Sequence, residues 1–158
     1  MKVIFLDIDG VLNEEGSRSR CCGCRGIDDR KAANLAVIVN ATGAKIVLVS
    51  TWKDGWFQRE KDRQGFLADY LDKKLKKQGL TVFDKTESVD RDSGVYLSRG
   101  EGILAYLSCH AVENYVILDD FQFDYDGCGL TDRYVKTDNY GGGLTETLAR
   151  KAIEILNG

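Results

Sequence analysis

The sequence predicts an α/β fold built on a central, mainly parallel sheet, and three observations predict it. Continuous apolar runs of strand length recur: VIFLDI (3–8), KIVLVS (45–50) and YVILDD (115–120). Such runs mark strands covered on both faces. Segments with helical spacing of apolar residues lie between them, and alternation of this kind favours a parallel sheet. Acids or hydroxyls follow each central run, where α/β sheets place their sites.

The elements follow in order. VIFLDI opens the chain as the first strand. Asp28 or Asp29 can cap a helix running through Ala33, Leu35, Ile38 and Val39. KIVLVS is the next strand. Gly65 precedes FLADYLDKKLKKQ, in which Phe66, Leu67, Tyr70, Leu71 and Leu75 share one helical face, and Gly79 is a natural stop. TVFDKT (81–86) and RYVKT (133–137) are weaker strands. Gly100 precedes a shorter helix through Ile103, Leu104 and Leu107, and Thr145 can cap the last, through Leu148, Ala152, Ile155 and Leu156. The 158 residues suit one domain spanning 1–158, with a short insert loop over 13–28.

Composition narrows the class. The chain is 43% hydrophobic and 30% charged, as an ordinary globular protein is. Its net charge is −3 and its pI about 5.2, so no global basic field announces nucleic acid. No run of 18 or more apolar residues spans a membrane, and the N-terminus turns acidic at Asp7, too soon for an export signal. The expected location is cytoplasmic, with no membrane partner. Five cysteines, an odd number, fit a reducing compartment. Cys21, Cys22 and Cys24 cluster, but not with paired zinc-type spacing, so free thiols are the default.

The strand ends share a chemistry. The first run ends in Asp7-Ile8-Asp9-Gly10, the second in Ser50-Thr51-Trp52-Lys53, the third in Asp119-Asp120. Acids after strands are common as caps and turn formers. Several together on parallel neighbours instead converge on one patch. Close carboxylates repel unless a cation sits among them, and oxygen-only ligands select a hard ion such as Mg²⁺. A carboxylate can attack phosphorus, and an acid two residues on faces the same way along an extended segment, placed to move protons. Gly10 lets the backbone turn and a phosphate approach.

Asp7-Ile8-Asp9-Gly10-Val11 resembles the first motif of the haloacid dehalogenase-like (HAD-like) superfamily of phosphatases. Ser50 after KIVLV is similar to its second motif, and Asp119-Asp120 after YVIL to its acidic fourth. The third motif is a single basic residue near a helix start; Arg99 is the candidate and Lys53 the alternative. The resemblance spans residue 3 to about 145. It implies a three-layer Rossmann-like (HAD-like) domain, capless or with a minimal cap, and a Mg²⁺-dependent phosphomonoester hydrolase. It implies Asp7 as nucleophile and metal ligand, and Asp9 as general acid/base lending its backbone carbonyl to the metal. Ser50 would bind the phosphoryl group, with Gly10 and Thr51 beside it, and Arg99 or Lys53 would stabilise charge. Asp119 and Asp120 would complete the Mg²⁺ site, directly or through water. The acid at Asp9 favours phosphate over carbon–halogen chemistry, because the dehalogenases lack one there.

Narrower features resemble one subgroup, the small domains associated with RNA repair proteins. They are the KIVLVS strand before Thr-Trp-Lys, the segment Ser98-Arg99-Gly100-Glu101, and Thr137-Asp138 before Gly143-Leu144-Thr145. That resemblance implies a polynucleotide end-phosphate, or a nucleotide, as the phosphorylated substrate. Arg18 and Arg20 lie in the insert loop with no acid from Gly16 to Ile27, and so are candidate substrate clamps. Trp52, Trp56 and Phe57 can stack a base, although packing is the commoner fate of such residues. Asp-Tyr-Asp-Gly (124–127) fails as a calcium loop, Gly141-Gly142-Gly143 reads as a flexible lead into the last helix, and His110 as a helix end. Two other functions fit the same residues: a phosphate-sensing module without turnover, and a phosphotransferase that passes the group to a hydroxyl.

Overall fold

The structure is a computed structural model that describes all 158 residues, Met1–Gly158. Seven strands and four helices form, in chain order β1 (Lys2–Leu6), β2 (Arg20–Cys21), β3 (Cys24–Arg25), α1 (Asp29–Thr42), β4 (Lys45–Leu48), α2 (Phe66–Lys76), β5 (Val82–Lys85), α3 (Arg99–Cys109), β6 (Asn114–Asp119), β7 (Tyr134–Lys136) and α4 (Glu146–Asn157). No helix is long and apolar enough to cross a membrane.

Five strands form one sheet in the order β5-β4-β1-β6-β7, and every pair is parallel. The chain steps outward from β1 through α1 and α2, then returns across the sheet through α3 to β6. Right-handed crossovers force α3 onto the opposite face, because the direction of travel reverses there. The core divides accordingly. Ile4, Leu6, Ile46 and Leu48 face α1, α2 and α4, while Val3, Phe5, Val47 and Ile117 face Ile103 and Tyr106 of α3. That is the period-two alternation of strands covered on both sides. The reversal makes the β1–β6 junction the switch point, and crevices open at the carboxyl ends of such junctions.

Pairing runs one residue past each strand and levels those ends. Asp7 donates its N–H to Leu118 O at 2.9 Å, Val49 to Leu6 O at 3.0 Å, Thr86 to Leu48 O at 2.9 Å and Thr137 to Asp119 O at 2.9 Å. The side chains that follow therefore emerge on one rim.

Helix ends match the sequence closely. Asp28 is the N-cap residue of α1, Gly43 closes it in the left-handed conformation at φ 69°, and Thr145 caps α4. α3 begins with a capping box, Ser98 accepting from the Glu101 N–H at 3.1 Å and Glu101 accepting from the Ser98 N–H at 2.8 Å.

Two expectations differ. The 13–28 insert is not a plain loop: β2 and β3 form a hairpin pairing Cys21 with Cys24, and its turn holds Cys22 at φ 49° and Gly23 at φ 85°. A two-residue turn of this kind needs positive φ at both central positions, a signal that cysteine hides. Nor is the glycine run slack. A Cβ on Gly143 would lie 2.8 Å from Val11 O and 2.8 Å from Lys31 Cε, so the backbone there is packed against the β1 loop.

Ser98→Ala removes the cap of α3 and a hydroxyl bonded to Asp124. It should lower the unfolding free energy by about 0.5–2 kcal/mol, read from the urea midpoint.

Candidate active site

Four sequence-predicted residues meet at the rim between β1 and β6. Carboxylate oxygens of Asp7, Asp119 and Asp120 all lie within 4.8 Å of one another. The Arg99 guanidinium enters between two of them, its Nη1 donating to Asp119 Oδ2 at 2.7 Å and lying 3.2 Å from Asp7 Oδ1. Asp7 is 5% exposed and Asp119 0%. Burial, and then the neighbouring Asp119, push the Asp7 carboxyl up to about 7, against the pull of Arg99 and Ser50. Burial and Asp119 also raise Asp120. One guanidinium among three carboxylates leaves the cluster short of positive charge. Oxygen-only donors this close suit a hard divalent cation, and Asp7, Asp119 and Asp120 are the side chains that fit one.

Asp9 stands apart from that trio and is held from two sides. Trp52 Nε1 donates to its Oδ2 at 2.9 Å, and Asn13 Nδ2 to its Oδ1 at 2.9 Å. Its backbone carbonyl accepts no hydrogen bond within the protein. Asn13 also accepts from the Gly10 N–H at 3.0 Å, and Thr137 donates its hydroxyl to Gly10 O at 2.8 Å. Gly10 is fixed at φ 75°, and a Cβ there would sit 2.3 Å from Asp120 Oδ2. Glycine is required on both counts.

Arg99 and Lys53 take different places. Arg99 is the first residue of α3, positioned by the capping box and by Asp124, which accepts from the Ser98 hydroxyl and from the Gly100 N–H at 2.9 Å. Lys53 is buried and donates to Thr86 Oγ1 at 3.0 Å, with no carboxylate partner. Burial and Arg99 bring its pKa down to about 8. Ser50 is buried beside Asp7, its Oγ accepting from the Trp52 N–H at 3.3 Å, while Thr51 is exposed.

The insert-loop arginines are not gathered at the acids. Arg20 donates to the carbonyls of Ser17 and of Ser19 (3.0 Å), so its guanidinium is folded onto its own loop. Arg18 is exposed. Trp52 and Trp56 are 6% and 1% exposed, which leaves them no face for a base.

Three supporting residues escaped sequence reasoning. Asn13 is fully buried in an otherwise apolar turn, and a lone amide after Val11-Leu12 is the signal that could have found it. Tyr125 donates its hydroxyl to Asp119 Oδ2 at 2.6 Å, and Asp124 anchors α3; both sat inside a motif dismissed as a failed calcium loop.

A parallel sheet with paired acids after β1, a hydroxyl after β4, a basic residue at the start of α3 and acids after β6 defines a HAD-like domain, a class that is generally hydrolytic and of phosphatase type. A family model described as the HAD domain in Swiss Army Knife RNA repair proteins matches residues 3–149, and the chain belongs to that family. Neither a curated protein nor a solved structure matches it.

Gly10→Ala forces a side chain into left-handed backbone and into Asp120. The backbone term alone costs roughly 1–2 kcal/mol, so the unfolding free energy read from the urea midpoint should fall by at least that much.

Proposed function

We propose that the chain is a Mg²⁺-dependent phosphomonoester hydrolase that works through an aspartyl-phosphate on Asp7, with a polynucleotide end-phosphate or a nucleotide as substrate. The observation that carries the proposal is the buried Asp7 carboxylate, set between Arg99 and the acids of β6, with Asp9 oriented separately two residues on.

The geometry supports the following roles. Asp7 attacks phosphorus, the P–O bond to the leaving group breaks, and Asp9 gives its proton to the departing oxygen. A water then attacks the phosphoaspartate, Asp9 takes its proton, and Asp7 and inorganic phosphate are released. Trp52 and Asn13 hold the Asp9 carboxylate in place through both steps. Arg99 and Ser50 would receive the phosphoryl oxygens, and Lys53 would add positive charge nearby. Mg²⁺ held by Asp7, Asp119 and Asp120, with the free Asp9 carbonyl, would neutralise the two anions that must meet. Family membership supports the nucleic-acid end as substrate. Arg18, exposed and not folded onto its own loop as Arg20 is, is the stronger of the two clamp candidates.

Phosphate release from an aryl phosphate, a nucleotide panel and 3′- and 5′-phosphorylated oligonucleotides tests the proposal. Release should require Mg²⁺ and vanish in Asp7→Asn, while Asp9→Asn should lower kcat by about 10²–10⁴. Mg²⁺ at about 100 times its Kd should also stabilise the wild-type fold by about 2.7 kcal/mol, an effect lost in Asp119→Asn. A folded protein that binds phosphorylated ends without releasing phosphate would be the sensing module instead. Transfer to an added hydroxyl in preference to water would make it a phosphotransferase.

A further inference from the structure

A recess opens beside the acid cluster. It measures about 500 Å³ and shares Asp120 with the candidate active site. Phe121 and Tyr140 flank it, with Lys136, Asp138 and Asn139 also lining it. The size falls within the roughly 300–1,000 Å³ typical of small-ligand sites.

Its aromatic walls are unusually open. Phe121 is 63% exposed and Tyr140 82%. The Phe121 ring is nonetheless held. It meets Phe123 edge-on, with centroids 5.0 Å apart at 76°, and Phe123 in turn covers Arg99, whose Cζ lies 4.0 Å from the ring centroid. Phe123 adopts φ 46°, a left-handed conformation that L-residues avoid, and its ring lies over the guanidinium. Phe121 thus stands on a braced stack that ends at the catalytic arginine. Asp138 accepts from the Tyr140 N–H at 2.8 Å, which fixes the turn carrying that ring. Lys136 is exposed and forms no ion pair.

Open aromatic faces beside a free cation are the two components of a single-strand nucleic-acid platform. The other aromatic candidates are spent: Trp52 and Trp56 are buried, and Lys85 Nζ lies 4.4 Å from the Phe57 ring centroid. We infer that the recess binds the unpaired base next to the phosphate being removed, stacked on Phe121 and Tyr140, with Lys136 on the neighbouring backbone phosphate. The inference rests on the phosphohydrolase reading for its orientation, because Asp120 belongs to both the recess and the acid cluster. It gives the chain selectivity for nucleotide-borne phosphates over other monoesters. Paired ends are poor ligands, since their bases are already stacked.

The test compares turnover and binding. Phe121→Ala and Tyr140→Ala should each lower kcat/KM for a phosphorylated single-stranded oligoribonucleotide about tenfold more than for an aryl phosphate. Phe121→Trp should restore the ratio, and Tyr96→Ala, which removes an equally exposed aromatic outside the recess, should leave it unchanged. A mononucleotide arm separates the sources: the same dependence there assigns the base that carries the phosphate, and dependence only with the oligonucleotide assigns its neighbour. Equal losses on aryl and nucleotide substrates, or the same loss from Tyr96→Ala, would overturn the assignment. Anisotropy of a labelled oligoribonucleotide on Asp7→Asn removes the chemistry from the question. Unchanged affinity in both alanine variants of that background would sink the recess whatever the turnover. Recess-dependent binding without any wild-type turnover would remove the hydrolase and keep the recess.

Discussion

Asp7 follows β1 and Asp119 ends the adjacent parallel β6, and their carboxylates are buried within reach of one guanidinium. Most of what surrounds them follows from the need to hold like charges together out of water. Arg99 answers part of that need, so the start of α3 must be placed accurately, and the capping box and Asp124 place it. Tyr125 supplies a further donor to Asp119, and burial, with Asp119 beside it, pushes its own hydroxyl pKa upward. Gly10 keeps the backbone clear of Asp120, and Asn13 and Thr137 hold that backbone from either side. The positive charge still missing is the strongest physical argument for a cation in the site.

The sheet explains why this arrangement arises where it does. A chain that winds outward on one side of its first strand and then crosses to the other leaves a gap at the reversal. Here the gap opens above β1 and β6, the strands that end in acids. Level pairing at all the strand ends turns residues distant in sequence, such as Asp7, Ser50, Thr86 and Thr137, into neighbours on one rim.

Much of this was legible in the amino-acid order. Continuous apolar runs of strand length mark strands covered on both faces, and Asp28 and Thr145 announce their helix starts by residue type, although only Thr145 caps with its side chain. The acids stood out because an apolar run does not end in carboxylates without cause. What stayed hidden depends on distance through space. A helix start favours Arg99 over Lys53 locally, but only the placement of α3 sets one against the acids and the other against Thr86. Tyr125 and Asp124 look like ordinary loop residues until the loop folds back on β6 and α3. The β2–β3 hairpin was masked because its turn puts a cysteine where asparagine or glycine usually stands.

The left-handed backbone at Phe123 sets two kinds of selection against each other. Glycine or asparagine there would relieve the chain and raise thermal tolerance. Either would strip the ring from the Arg99 guanidinium and the brace from Phe121. Screening for heat resistance alone should therefore drift toward glycine at this position, and screening for turnover should drive it back. The residue that survives in a descendant would record which pressure its lineage had met.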